Sequence, residues 1–349
     1  MALPRGGVGF RRSLTGGRSD LLIVGERKAA IAESGFGAGP WVLVLGMHRS
    51  GTSAVAGALA ALGLSLPAPD DLMTGRPDNP VHYESRALAE VNDALLAALG
   101  GTWSAPPDLR TGWERTQAVQ DVESQARRAA RVAFPDEGPR VWKDPRLCLV
   151  LPYWRRRLVA PVGTILVWRA PLAVARSLRT RQAFTLSHGL ALWDRYNRAA
   201  LATLGGNPAL VISYEDLLAD AAGAMRAAAS WLSRIGCMPA QPDDTTVADA
   251  AATVAAGLAR HDDDGEVPAV VEEMTTALRG LGGVHEHLPA VSVPPPPPWM
   301  ADTFVQRRDF EQLYARYLRY AKWRRRLPFG RGGRTDAMST TRRGTTGSA

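Results

Sequence analysis

The sequence predicts an α/β fold in which a central parallel sheet is covered by helices on both faces, and three observations predict it. Apolar runs of strand length recur at 41–45, in "GTILVWRAP" and in "ALVISYEDLL", and each leads into a helix-forming stretch. Strands that alternate with helices build parallel sheets, because each parallel connection needs a crossover that a helix supplies. The chain has 349 residues, 46% of them hydrophobic, which is enough core for one large domain or two small ones.

The first strand, 41–45, runs into Gly46-Met47-His48-Arg49-Ser50-Gly51-Thr52-Ser53 and then an Ala/Leu-rich helix ending near Gly63. Nucleoside triphosphatases carry G-x-x-x-x-G-K-[ST] at such a junction. Here both glycines and the final hydroxyl, Ser53, are present, but Thr52 stands in the lysine position and Arg49 supplies the cation. A glycine loop between strand and helix offers backbone N–H groups and the positive end of the helix dipole to an anion. Ser50, Gly51, Thr52 and Ser53 are therefore candidate anion ligands beside Arg49. The expected architecture is three-layer and P-loop-like.

Further along, "LPAPDDLMTGRPDNP" reads as a loop from its Pro, Asp and Gly content. "YESRALAEVNDALLAALG" puts Leu88, Val91, Leu95, Leu96 and Leu99 on one helical face, with Gly100 as the stop. Helices are expected at roughly 114–133, 171–181 and 187–204. Ligands of open parallel sheets bind outside the carboxyl ends of the strands. Arg49 and Arg169 both follow such an end, so they are expected to converge on one ligand.

Domain organisation follows composition. Residues 1–38 are a Gly/Arg-rich flexible tail, 39–235 the α/β domain, and 236–293 an Ala/Asp-rich helical extension with ten acidic residues and two arginines. Five prolines, 294–298, form a stiff spacer. Residues 299–327 read as a basic amphipathic helix, and 328–349 as a disordered tail. That helix has two readings: it packs its aromatic face on the body, or it meets a membrane surface or an acidic partner.

The net charge of +8 does not mark a nucleic-acid binder, because of where it sits. Residues 299–349 carry twelve basic and four acidic side chains, while 39–298 carry 24 basic and 27 acidic. Two cysteines cannot build a disulfide framework, so a reducing compartment is expected. No run approaches the ~20 apolar residues that span a bilayer, and the N-terminus has no apolar signal core. A soluble, cytoplasmic protein is the expectation.

Taken in order, "GMHRSGTS", "VWKDPRL", "WRAPLAVARSLRTR" and "SYEDLL" resemble the sulfotransferases that use 3′-phosphoadenosine-5′-phosphosulfate (PAPS). The resemblance covers roughly 41–235 and looks closest to bacterial members related to carbohydrate and tyrosyl-protein enzymes. It implies that the loop with Arg49 binds the 5′-phosphosulfate. It also implies that Arg169, with Ser177 eight residues on, holds the 3′-phosphate and later the product PAP. An arginine fork suits that phosphate, which distinguishes PAPS from ATP. The Arg-Lys-Gly segment of the cytosolic members has no counterpart here, since "GRGGR" at 330–334 is too loose, and 236–349 matches nothing residue by residue.

Sulfuryl transfer should resemble phosphoryl transfer, where positioning and charge stabilisation dominate. Arg49 is the first candidate charge stabiliser, and the resemblance implies Lys143 of "WKDPRL" as the second, although Lys143 could equally form a plain salt bridge with Asp144. The resemblance implies Glu84 as the base that takes the acceptor proton, with His82 its rival and helix capping the structural alternative for Glu84. The expected acceptor is a hydroxyl on a carbohydrate or glycosylated metabolite, and no metal is expected. A P-loop small-molecule kinase is the alternative enzyme. It would need magnesium held by an acid such as Asp216, whereas the run "TILVW" ends in Arg169. A non-enzymatic nucleotide-binding scaffold acting through the basic C-terminal helix is the third reading.

Overall fold

The structure is a computed structural model that describes residues 36–37, 39–76, 79–158, 162–255 and 265–324. The chain divides into two units, Met1–Arg307 and Arg308–Ala349. Residues 1–35 and 38 of the expected N-terminal tail, and the expected tail at 328–349, lie outside the described residues. Phe36, placed in the N-terminal tail by composition, is buried edge-on against Trp154 with ring centroids 5.8 Å apart.

The first unit is built on a five-stranded sheet in the order β4-β1-β5-β6-β7. Strands β1 (Trp41–Leu45), β4 (Arg140–Lys143), β5 (Val162–Trp168) and β6 (Ala209–Ser213) run parallel. β7 (Gly283–His285) adds an antiparallel edge to β6, so the C-terminal extension contributes a strand as well as helices. Alternation along each strand divides the core. Leu43, Leu45, Leu166, Trp168 and Val211 face one hydrophobic layer, and Val42, Val44, Ile165, Val167 and Ile212 face the other. Each fully buried Val, Leu or Ile of this kind contributes roughly 1.5–3 kcal/mol. Burial on both faces is why these strands are continuously apolar.

The helices cover both layers as expected. α1 (Thr52–Ala61) follows the loop after β1, and α10 (Asp244–Ala255) packs Val247, Ala250 and Val254 into the same layer as Val55, Ala56 and Leu59. α6 (Pro171–Gln182) starts on a proline, whose fixed φ and missing N–H suit a first helical turn. α7 (Leu186–Leu204) packs beside it in the opposite layer.

Two local expectations are corrected. The stretch taken as a loop contains a β-hairpin, β2 (Leu72–Arg76) against β3 (Asn79–Ser85). The helix expected over 114–133 is broken into a 3₁₀ turn, a single turn at Gln117–Gln120 and α4 (Glu123–Ala133). The helix after the hairpin, α2 (Arg86–Ala98), is capped by Ser85, whose hydroxyl accepts the Leu88 N–H at 3.0 Å. Glu84 is therefore not its cap.

Candidate functional site

The site forms at the carboxyl ends of β1, β4, β5 and β6, where the chain crosses from one side of β1 to the other. The β1 loop is closed by two glycines that nothing else could replace. At Gly46, φ is +152° and an added Cβ would lie 2.2 Å from the Val167 carbonyl oxygen. Gly51 caps α1 with φ +89°, and a Cβ there would lie 2.2 Å from the Tyr214 ring. Arg49 between them is also left-handed, with φ 74°, a conformation that costs a non-glycine residue on the order of 1 kcal/mol or more. The Ser50 hydroxyl is buried and finds no hydrogen-bond partner among the described residues.

Arg49 reaches across to α6, where its Nε donates to Ser177 Oγ at 2.9 Å. Arg169, at the tip of β5, lies with its guanidinium 4.9 Å from the Tyr214 ring centroid. Its backbone is fixed on both sides: the Arg169 carbonyl accepts Trp193 Nε1 at 2.8 Å, and the next N–H, of Ala170, donates to Glu215 at 3.2 Å. Burial pushes the Tyr214 phenol up, and both Arg169 and Arg49 act on it in the other direction. Arg49 and Ser177 thus meet, and both Arg49 and Arg169 lie near Tyr214. Tyr214 was not singled out in the sequence; its place directly after the β6 strand was the available signal.

No family model and no curated protein matches the chain. Among solved structures it is similar to the sulfotransferase domain from the Synechococcus PCC 7002 olefin synthase. That likeness is 17% in identity over 79% of this chain and 95% of that chain, with a TM-score of 0.37. It carries no assignment of function, which rests on the geometry instead.

On the other side of the loop, Lys143 closes β4 level with Val44 of β1. Its ammonium donates to Glu84 Oε1 at 2.5 Å, and both side chains are buried. Lys143 is therefore paired with Glu84 and not with its neighbour Asp144, which instead accepts from Asn92 Nδ2 at 2.9 Å and from Arg146. Burial alone would raise the Glu84 pKa, but Lys143, His48 and Arg146 more than offset it and hold the carboxyl well below its usual range. Glu84 is a carboxylate at neutral pH.

His82 sits beside this pair, half-buried, with Nε2 3.4 Å from the Arg181 guanidinium. Burial lowers its pKa, and Lys143, Arg181 and Arg49 add to that while Glu84 opposes it. Ser53, expected as an anion ligand, turns its hydroxyl to the His82 carbonyl at 3.3 Å and so pins the hairpin to the loop. Thr52 is buried as the first residue of α1. His48 was missed by sequence reasoning. Its ring lies 4.6 Å from the Trp103 ring centroid, and burial, aided by Arg146, depresses its pKa to about 3. Arg146, held by Asp93 at 2.6 Å, was also missed, and only the folded structure brings it to Glu84.

Proposed function

We propose that the chain is a sulfotransferase that moves a sulfuryl group from PAPS to a hydroxyl, on a carbohydrate or glycosylated metabolite, within a reducing cytoplasm. The observation that carries this reading is the 2.9 Å contact between Arg49 and Ser177, with Arg169 sharing Tyr214 beside them. Two strand tips then present fixed cations to a nucleotide with phosphates at both ends, and no metal is needed to balance them.

The donor set fits PAPS. The buried, unpartnered Ser50 hydroxyl and the glycine-lined loop suit the sulfonate end, and Arg169 with Ser177 suits the 3′-phosphate. PAPS supplies the activated sulfuryl group. Arg49, once a phosphate takes its place on Ser177, stabilises negative charge on the bridging oxygen. Lys143 serves the sulfonate oxygens, as fixed charges aimed at developing charge lower a barrier most effectively.

In the transfer itself the acceptor oxygen forms a bond to sulfur, the bridging S–O bond breaks, and PAP leaves with the bonding pair. The acceptor proton passes to Glu84. A carboxylate of lowered pKa is a weak base, so it takes the proton late, once the new S–O bond has acidified the hydroxyl. As Lys143 shifts toward the sulfonate, Glu84 loses its strongest partner and becomes more basic. The half-buried Trp103 ring, 4.6 Å from His48 and backed by the buried Phe184 ring at 5.8 Å, offers an aromatic surface for the apolar face of a sugar.

A thermal-shift comparison of PAP, ADP and ATP tests the reading. PAP alone should stabilise strongly without magnesium. Stabilisation by ATP only with magnesium would point to the kinase, in which Asp216 would have to serve as the metal ligand.

A further inference from the structure

The described residues of the second unit, 308–324, continue a helix whose two sides differ in chemistry. Leu313, Tyr314, Tyr317, Leu318 and Tyr320 are between 49% and 66% exposed. At 3.6 residues per turn they share one side with Phe310 and Ala321, a sector of roughly 160°. The opposite side carries Arg308, Arg316, Arg319 and Lys322, with Trp323 the aromatic exception there and Arg324, in the last turn, the cationic exception on the aromatic side. Asp309 and Glu311 lie at the borders. The rings are ordered along the face: Phe310 and Tyr314 stack at 6.0 Å, and Tyr314 and Tyr317 at 6.4 Å.

We propose that this segment lies on an anionic lipid surface, with its aromatic side at the boundary of headgroups and acyl chains and its cations toward lipid phosphates. Three features select that occupant. First, five cations in 308–324 face only two carboxylates, and 299–349 as a whole holds twelve basic against four acidic residues, which complements an anionic leaflet. Second, the face is rich in tyrosine, whose apolar body and polar tip suit the headgroup layer better than a dry protein groove. Third, no helix among the described residues is long and apolar enough to cross a membrane, so this one can lie on the surface but not span it.

The test is co-sedimentation of the full chain with vesicles of phosphatidylcholine alone and of an equal mixture with phosphatidylglycerol. Binding should favour the anionic vesicles by at least about tenfold and weaken as salt rises. The pair Leu313→Glu with Tyr317→Glu should lose at least about tenfold of that binding at an unchanged melting temperature. Leu313→Ser with Tyr317→Ser serves as a second variant that adds no like charge to the vesicle. Equal binding to both vesicle types, or undiminished binding by both double variants, overturns the proposal. So does an oligomer that the variants dissociate while vesicles bind neither form.

Discussion

Lys143 and Glu84 meet across 2.5 Å where β4 and β3 end, a buried ion pair made by residues 59 positions apart. It joins the candidate base to the candidate sulfonate ligand, so the two cannot be perturbed independently. Breaking a buried pair by removing one partner typically costs about 3–5 kcal/mol, because the other charge is left uncompensated.

Glu84→Gln should therefore lower the melting temperature and reduce kcat by roughly 10²- to 10⁴-fold, the range expected for loss of a general base. Affinity for PAP, measured by titration calorimetry, should stay within about threefold, which also shows that the variant is folded. His82→Ala should keep most turnover. Near-normal turnover in Glu84→Gln, with loss in His82→Ala, would transfer the role to His82.

His48 should make stability depend on pH. Its folded pKa, about 3, lies below the unfolded value near 6.5, so between these values the unfolded chain binds the extra proton. The stability it contributes is complete above the unfolded value and is lost as pH falls toward the folded one, by at most about 2 kcal/mol at pH 5. Chemical denaturation from pH 7 to pH 5 should show a loss that His48→Gln reduces. Glu84, whose folded pKa is also lowered, adds a loss only at more acidic pH, below its unfolded value near 4.3.

Gly51→Ala should abolish PAP-induced thermal stabilisation, since the new methyl meets the Tyr214 ring at a left-handed position. Gly63→Ala is the control: it has a similar φ of +97° but nothing within 4 Å of the added Cβ, so only the backbone cost of about 1 kcal/mol should appear.

Ser177→Ala should weaken PAP binding by about tenfold or more, as loss of a hydrogen bond to a charged group does. Ser177→Thr, which keeps the hydroxyl, should recover much of it in the same titration.

Much of the frame was legible because its signals are local. β1, β5 and β6 are short continuous apolar runs, and Pro171 marks where α6 begins. The hairpin at 72–85 was not legible, since Gly75, Pro77, Asp78 and Pro80 within it are loop formers and tertiary context overrides them. Its pairing is fixed by long-range contacts: Ser53 holds the His82 carbonyl, and Asp71 accepts the Ser85 hydroxyl and the Ala87 N–H. Three-residue β7 shows no period at all. Arg49 and Arg169 could be proposed from their places just after strand ends, and Ser177 from the family resemblance, but the pairing of Lys143 with Glu84, and the nearness of His48 and Arg146, exist only once β3 and β4 lie beside the loop.

The account stands most directly on the affinity of PAP relative to AMP in wild type and in Arg169→Ala. Loss of the Arg169 guanidinium should weaken PAP by roughly 10- to 100-fold and AMP by less than about threefold, since only PAP carries the 3′-phosphate. Equal weakening of the two nucleotides would contradict it.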